Sequence, residues 1–207
     1  TYRLDSTVYV NLNTKKEVHT YLVQDWVDAE ITDNLGRKAY RIRRVMQQKT
    51  DTTQWIDNAV FVVTPLGKSL EYVDNNLRFI KLKEPIRDDF TWRGNSYINS
   101  FSDQDLQYLD NWEYFYENTN QPYTLGFGSK TFPETVFVNQ RDEVINNPDD
   151  KTTIFSVNQS SEIFAKGIGL IYKNFLHETW QPPNSTSPGG FYEPSSYGIK
   201  LTYINHN

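Results

Sequence analysis

The chain has 207 residues, with 21 Lys and Arg against 26 Asp and Glu, and a net charge of −5. Charges of both signs are interspersed, without the clustered basic stripe that a phosphate backbone requires, so nucleic acid is not an expected partner. No apolar run approaches the ~20 residues of a membrane-spanning helix, and the absence of Cys removes disulfides, thiolate metal sites and thiol catalysis together.

A chain this long suits one large domain, expected over 1–207, because no Pro/Gly/Ser-rich linker divides its middle. Aromatic residues make up 15% of it beside plentiful Val, Ile and Thr, a mixture that favours pleated sheet. It opens at Thr1 rather than Met, so a processed N-terminus is expected, with any signal segment upstream.

The first strand is read over Val8–Leu12, where Val8, Val10 and Leu12 alternate with Tyr9 and Asn11. The second runs from Val18 to Ile31. Tyr21, Val23, Val27, Ala29 and Ile31 form its apolar face, broken by Asp25. Asp33-Asn34-Leu35-Gly36 supplies turn chemistry, with Gly36 at the position needing φ > 0. Ala39–Gln47 then alternates again, so a hairpin is expected in which Tyr21, Val23 and Val27 share a core with Tyr40, Ile42 and Met46. Ala59–Val63 reads as an interior strand. Ser69–Val73 and Leu77–Leu82 read as two strands joined through Asp74-Asn75-Asn76.

Asp88-Asp89 and Gly94-Asn95 flank Trp92, which suggests a loop pinned by one buried indole. Residues 102–118 carry two signals. Ser102 and Asp105 have capping-box-like spacing, but Tyr108, Trp112, Tyr114 and Tyr116 share one period-2 face, and strand is expected over 107–117. Further strands follow at Glu134–Asn139, Ile154–Val157, Leu170–Phe175 and Ile199–Ile204, with a solvated loop at Asn146–Asp150. The block Phe164-Ala-Lys-Gly-Ile-Gly-Leu-Ile-Tyr-Lys-Asn-Phe175 sets Gly167 and Gly169 before a β-rich run. No Gly-Lys-Ser/Thr follows, so these glycines read as structural, marking a bulge, a sharp bend or close backbone contact, and not as a phosphate loop. The fold class expected is all-β: a predominantly antiparallel, strongly curved sheet or incomplete barrel with little helix.

No constellation of catalytic residues emerges. His19, His177 and His206 are not paired at metal-ligand spacing, and no Asp-x-Asp-x-Asp-Gly calcium loop or Gly-x-Ser-x-Gly elbow is present. No cofactor, metal or catalytic residue is therefore assigned. Paired carboxylates for glycoside hydrolysis are the remaining enzymatic reading. Arg41, Arg43 and Arg44 read as a solvated strand face paired with acids opposite. Trp26 and Trp92 read as sheet and loop packing. Trp180 and Tyr192 bracket the Pro-rich loop Pro182–Gly190, and are the candidates for exposed ligand or partner contact, with Asn184, Ser185 and Thr186 available to hydrogen-bond.

Four blocks carry a resemblance: Asp33–Arg44, Asp74–Leu82, Phe164–Phe175 and the closing Gly198–Asn207. Their order resembles an uncharacterised family of exported lipoproteins from Gram-negative envelopes, whose members carry a Tyr-Ala-Lys-Gly-Val-Gly-Leu-Val-Tyr-Lys block and a terminal Leu-Thr-Tyr strand. The resemblance implies an N-terminal lipid anchor outside this chain and a periplasmic or outer-membrane-anchored location. It implies no activity. At Glu84 the chain departs from the family's apolar residue, which argues against burial of that corner. The function expected is a non-catalytic envelope protein with a binding or structural-interaction role, its partner an envelope protein, lipid or glycan. A carbohydrate-binding module is the alternative. An open concavity lined by apolar side chains would favour a lipid over sugar or catalysis.

Overall fold

Alternation of inward and outward side chains governs most of the chain, of which 63% is strand and 3% helix. The computed structural model describes residues 1–48, 51–101, 103–126 and 130–206. Its strands are β1 (Tyr2–Val10), β2 (Lys15–Thr32), β3 (Lys38–Gln47), β4 (Trp55–Leu66), β5 (Ser69–Asp74), β6 (Leu77–Lys83), β7 (Thr91–Arg93), β8 (Glu113–Thr124), β9 (Thr131–Ile145), β10 (Phe155–Ala165), β11 (Gly169–Gln181), β12 (Phe191–Tyr192) and β13 (Tyr197–Tyr203). They form one antiparallel sheet in the order β6-β5-β4-β3-β2-β1-β13-β11-β10-β9-β8-β7, with β12 added to β11. The sheet is nearly closed and barrel-shaped.

Closure joins the two edge strands, which are neighbours in sequence. Ile80 N–H donates to Gly94 C=O at 2.8 Å, and the rest of the seam is made by side chains. The Trp92 indole N–H donates to Ile80 C=O at 2.8 Å. The Tyr116 hydroxyl accepts from Lys83 N–H at 2.7 Å and donates to Lys83 C=O at 2.8 Å. These bonds occupy edge groups that would otherwise offer a template for another chain. Trp92 and Tyr116 are both buried, their ring centroids 4.5 Å apart. Trp92 is thus the buried indole expected, but it lies in β7 and closes a sheet where the sequence suggested it pinned a loop.

The turns follow from local chemistry. At β5–β6, Asn75 and Asn76 both have positive φ, 48° and 63°, the twist-matched two-residue hairpin that Asn supports. At β2–β3, Gly36 has φ 76°, and the Asp33 carboxylate accepts from Leu35 N–H and Arg37 N–H, both at 2.9 Å. Leu12 does not belong to β1. It sits in the next turn with φ 58° and is 95% exposed, because the β1–β2 reversal occupies Asn11–Thr14.

The expected hairpin is present, with Val23 opposite Met46 and Val27 opposite Ile42. Val23 is fully buried and packs with Tyr21 and Met46. Val27 is 59% exposed and is not core. It keeps the parity of Val23 and Asp25, because the register shifts only beyond it at the Asp28 bulge, and its side chain borders the open cavity rather than packed core.

Strand over 107–117 is also corrected. A 3₁₀ turn spans Gln104–Leu109, capped by Asp103, whose carboxylate accepts from Asp105 N–H. The expected cap at Ser102 lies outside the described residues. Only from Glu113 onward does the period-2 reading hold, with Tyr114 and Tyr116 buried on one face. The 3₁₀ segment closes one end of the barrel. Leu109, Trp112, Trp92, Tyr114, Tyr116, Val136, Val138 and Phe175 form the main core there, and the Tyr108 ring stacks on His177 at 4.1 Å.

Replacing Tyr116 by Phe keeps the ring and removes both hydroxyl bonds of the seam. We expect a loss of ~1–2 kcal/mol in urea denaturation, with faster hydrogen exchange at the Lys83 amide. If both quantities match the parent protein, the hydroxyl does not hold the edges together.

Candidate functional site

Beyond the aromatic core, the barrel interior opens into a cavity of about 790 Å³. Ile42, Phe61, Val63, Leu70, Leu82 and Phe164 supply much of its apolar wall. The exposed lining residues Ile86, Asn120, Lys166, Gly167 and Gly169 mark its mouth. The two glycines sit in the β10–β11 turn with φ of 74° and 97°. A Cβ at either would meet nothing within 4 Å, so of the alternatives read from the sequence the bend holds, and close backbone contact is corrected: the requirement is conformational. A β-branched side chain there would cost ~1–2 kcal/mol.

Apart from the exposed Lys166–Glu134 pair at the mouth, three cations and three carboxylates lie within the apolar wall. Arg44 stands directly opposite Asp25 across β2 and β3, and grips it through two bonds of 2.6 Å. Lys81 Nζ donates to Glu162 Oε1 at 2.7 Å, with side-chain exposures of only 10% and 3%. Gln140 Nε2 donates to Glu162 Oε2 at 3.0 Å, and Ser160 Oγ donates to Gln140 Oε1 at 2.6 Å. Lys173 and Asp74 complete the set. Burial pushes the Lys173 ammonium below the usual lysine range, and repulsion from Lys81 adds to this while Glu162 and Asp74 oppose it. Burial likewise holds the Tyr72 phenol well above its ordinary value.

Arg44 therefore departs from the sequence reading. Arg41 does pair on the outer face with Asp28, and Arg43 with Asp57. Arg44 has the opposite parity and points inward. Trp26 is corrected as well: it is 40% exposed and borders the cavity.

Trp180 and Tyr192 are not exposed contacts. They are 4% and 6% accessible, packed with Phe155 and Val157, and their ring centroids lie 4.9 Å apart. The short strand β12 pairs Tyr192 with Trp180 and folds the chain back over the indole. Trp180 also has the opposite parity to Lys173 along β11, so the cluster lies outside the barrel. The Asn184 side-chain oxygen accepts from Thr186 N–H, Thr186 Oγ1–H and Ser187 N–H at 2.8–2.9 Å. That oxygen shapes its own loop, while the exposed Asn184 amide NH2 keeps its two donors.

Among the described residues, no group of three or more His, Asp or Glu is placed to hold a metal ion. His177 is buried, and its Nδ1–H donates to Asn158 Oδ1 at 2.5 Å. The Asn158 amide in turn donates to Glu143 Oε2 at 3.3 Å, which fixes the orientation of the pair. Compared with family models, curated proteins and solved structures, the chain matches none.

Two measurements check this description. Replacing Glu162 by Gln leaves Lys81 buried without its counter-charge, so we expect a loss of ~3 kcal/mol in urea unfolding. The double change Lys81→Met/Glu162→Gln should recover part of that loss. Equal stability of all three proteins would show that the pair is solvated. The second measurement concerns His177, whose pKa burial pushes down to about 4 from 6.5. A folded pKa below the unfolded one means the unfolded chain binds the proton first. The neutral imidazole's contribution is full above pH 6.5 and is lost as pH falls toward 4. Replacing His177 by Gln should flatten the stability profile over that interval.

Proposed function

We propose that this is a non-catalytic binding protein of the bacterial cell envelope whose barrel interior takes up an apolar small molecule of the lipid class. The observation that carries this reading is the cavity itself: about 790 Å³, within the size range of small-molecule sites, with apolar walls and a few convergent polar groups. The envelope location rests on the resemblance of the four sequence blocks to exported lipoproteins.

A sugar site gains less support. Stacking would require accessible rings side by side, and Trp180 and Tyr192 spend their faces on each other and on Phe155. Hydrolysis gains less as well, because Asp25 and Glu162 are each engaged by a cation.

The test is titration with the neutral apolar fluorophore N-phenyl-1-naphthylamine. We expect saturable, single-site enhancement that long-chain lipids reverse. Val63 lines the cavity, so Val63→Trp should weaken binding by about tenfold or more without changing the circular dichroism spectrum. An absence of saturable binding, or equal binding by Val63→Trp, would overturn the reading.

A further inference from the structure

The cavity holds an ammonium group that the fold brings inside and then leaves without an acceptor. Lys173 lies directly opposite Glu162 across β10 and β11, the position at which a cross-strand ion pair would be expected. Both Glu162 oxygens are already taken, Oε1 by Lys81 and Oε2 by Gln140. Asp25 is likewise held by both nitrogens of the Arg44 fork. Among the described residues, no carboxylate lies within ion-pair distance of Lys173. Asp74 also borders the cavity and attracts Lys173, but only through space. The surroundings are apolar, with Leu201 facing Lys173 from β13 and Leu170 and Ile199 also on the wall.

The half-buried ammonium faces the cavity between apolar walls, where a ligand anion would find an unengaged donor. We propose that Lys173 is the head-group site of the cavity and that the ligand is a long-chain carboxylate, bound head-inward with its chain directed to the mouth. This rests on the reading of the cavity as a lipid site and names the class of lipid.

A single charge on the ligand is favoured. Two of the three cations are already neutralised, so a dianion such as a phosphate monoester would meet one available ammonium and the repulsion of Asp74. The head-inward orientation follows from distance. Lys173 lies four residues along β11 from Gly169 at the mouth, roughly 13 Å at ~3.3 Å per residue.

The experiment titrates delipidated protein with cis-parinaric acid and with its methyl ester, comparing the parent with Lys173→Met and Lys173→Arg. We expect the parent to prefer the acid by about tenfold or more. Lys173→Met should abolish that preference while binding the ester as before, and Lys173→Arg should keep it. Lys173 is half-buried and has no ion-pair partner among the described residues, so its removal should leave the melting temperature near that of the parent, and loss of the fold is not expected to obscure the result. If Lys173→Met retains the acid preference, the head-group assignment is wrong and the cavity reading stands. If the parent binds neither acid nor ester, both fall.

Discussion

An antiparallel sheet with this many strands has two edges, and everything else in the molecule depends on how they are brought together. Here the seam is made mainly by side chains, the Trp92 indole and the Tyr116 hydroxyl reaching backbone groups of Ile80 and Lys83. Each bond is modest in net worth, but leaving buried edge groups unpaired would cost more than the bonds gain. Closure also defines an inside. Tyr116 belongs to the aromatic core that fills one end of the barrel, so the residue that seals the edge also supports the end opposite the cavity mouth. Gly94 belongs to the same arrangement: a Cβ there would lie 2.3 Å from the Tyr114 ring.

Once an inside exists, its charges must be compensated, and the chain does this across strands. Arg44 and Asp25 are directly opposed on neighbouring strands, which lets their fork geometry form without distorting the backbone. Lys81 and Glu162 come from distant parts of the chain and meet only because the sheet curves round. That pair reports the closed barrel in a way no local hydrogen bond can. Lys173 is the exception, a cation whose expected partner is occupied elsewhere, and such local inconsistencies are where function concentrates.

Much of the fold was legible because period-2 alternation and Asn/Asp/Gly turns act locally. The β2–β3 and β5–β6 hairpins are direct consequences of Asp33–Gly36 and Asp74–Asn76. The candidate site was far less legible. Asp25 was visible as the residue breaking an apolar face, and Arg44 shares the parity of Ile42 and Met46. Taken together, those two facts point to an inward ion pair. Glu162 gave no comparable signal, because the polar run Asn158–Ser161 hides the middle of β10 from any hydrophobic pattern. Lys173 lay within the Gly167–Phe175 block, but only the barrel's curvature turns it toward a cavity. Trp180 and Tyr192 misled for the opposite reason. A two-residue strand, β12, buries them, and so short a pairing leaves no periodic trace.

The strand order has a consequence for how the chain assembles. Thr1 and the last described residues meet within the sheet, the Thr1 nitrogen donating to Asn205 C=O at 2.8 Å, while the two edge strands are joined by the 84–90 connection. If residue 206 were joined to residue 1 and the chain cut within 84–90, the sheet would be a plain meander along which the chain adds its main-path strands in order. As it stands, the molecule is two such meanders, 1–83 and 91–203, whose internal pairings span short stretches of chain. The entropy of a whole-chain loop is met once, when β1 finds β13. Each half can gather its own strands first, and the interior comes into being only when the halves dock.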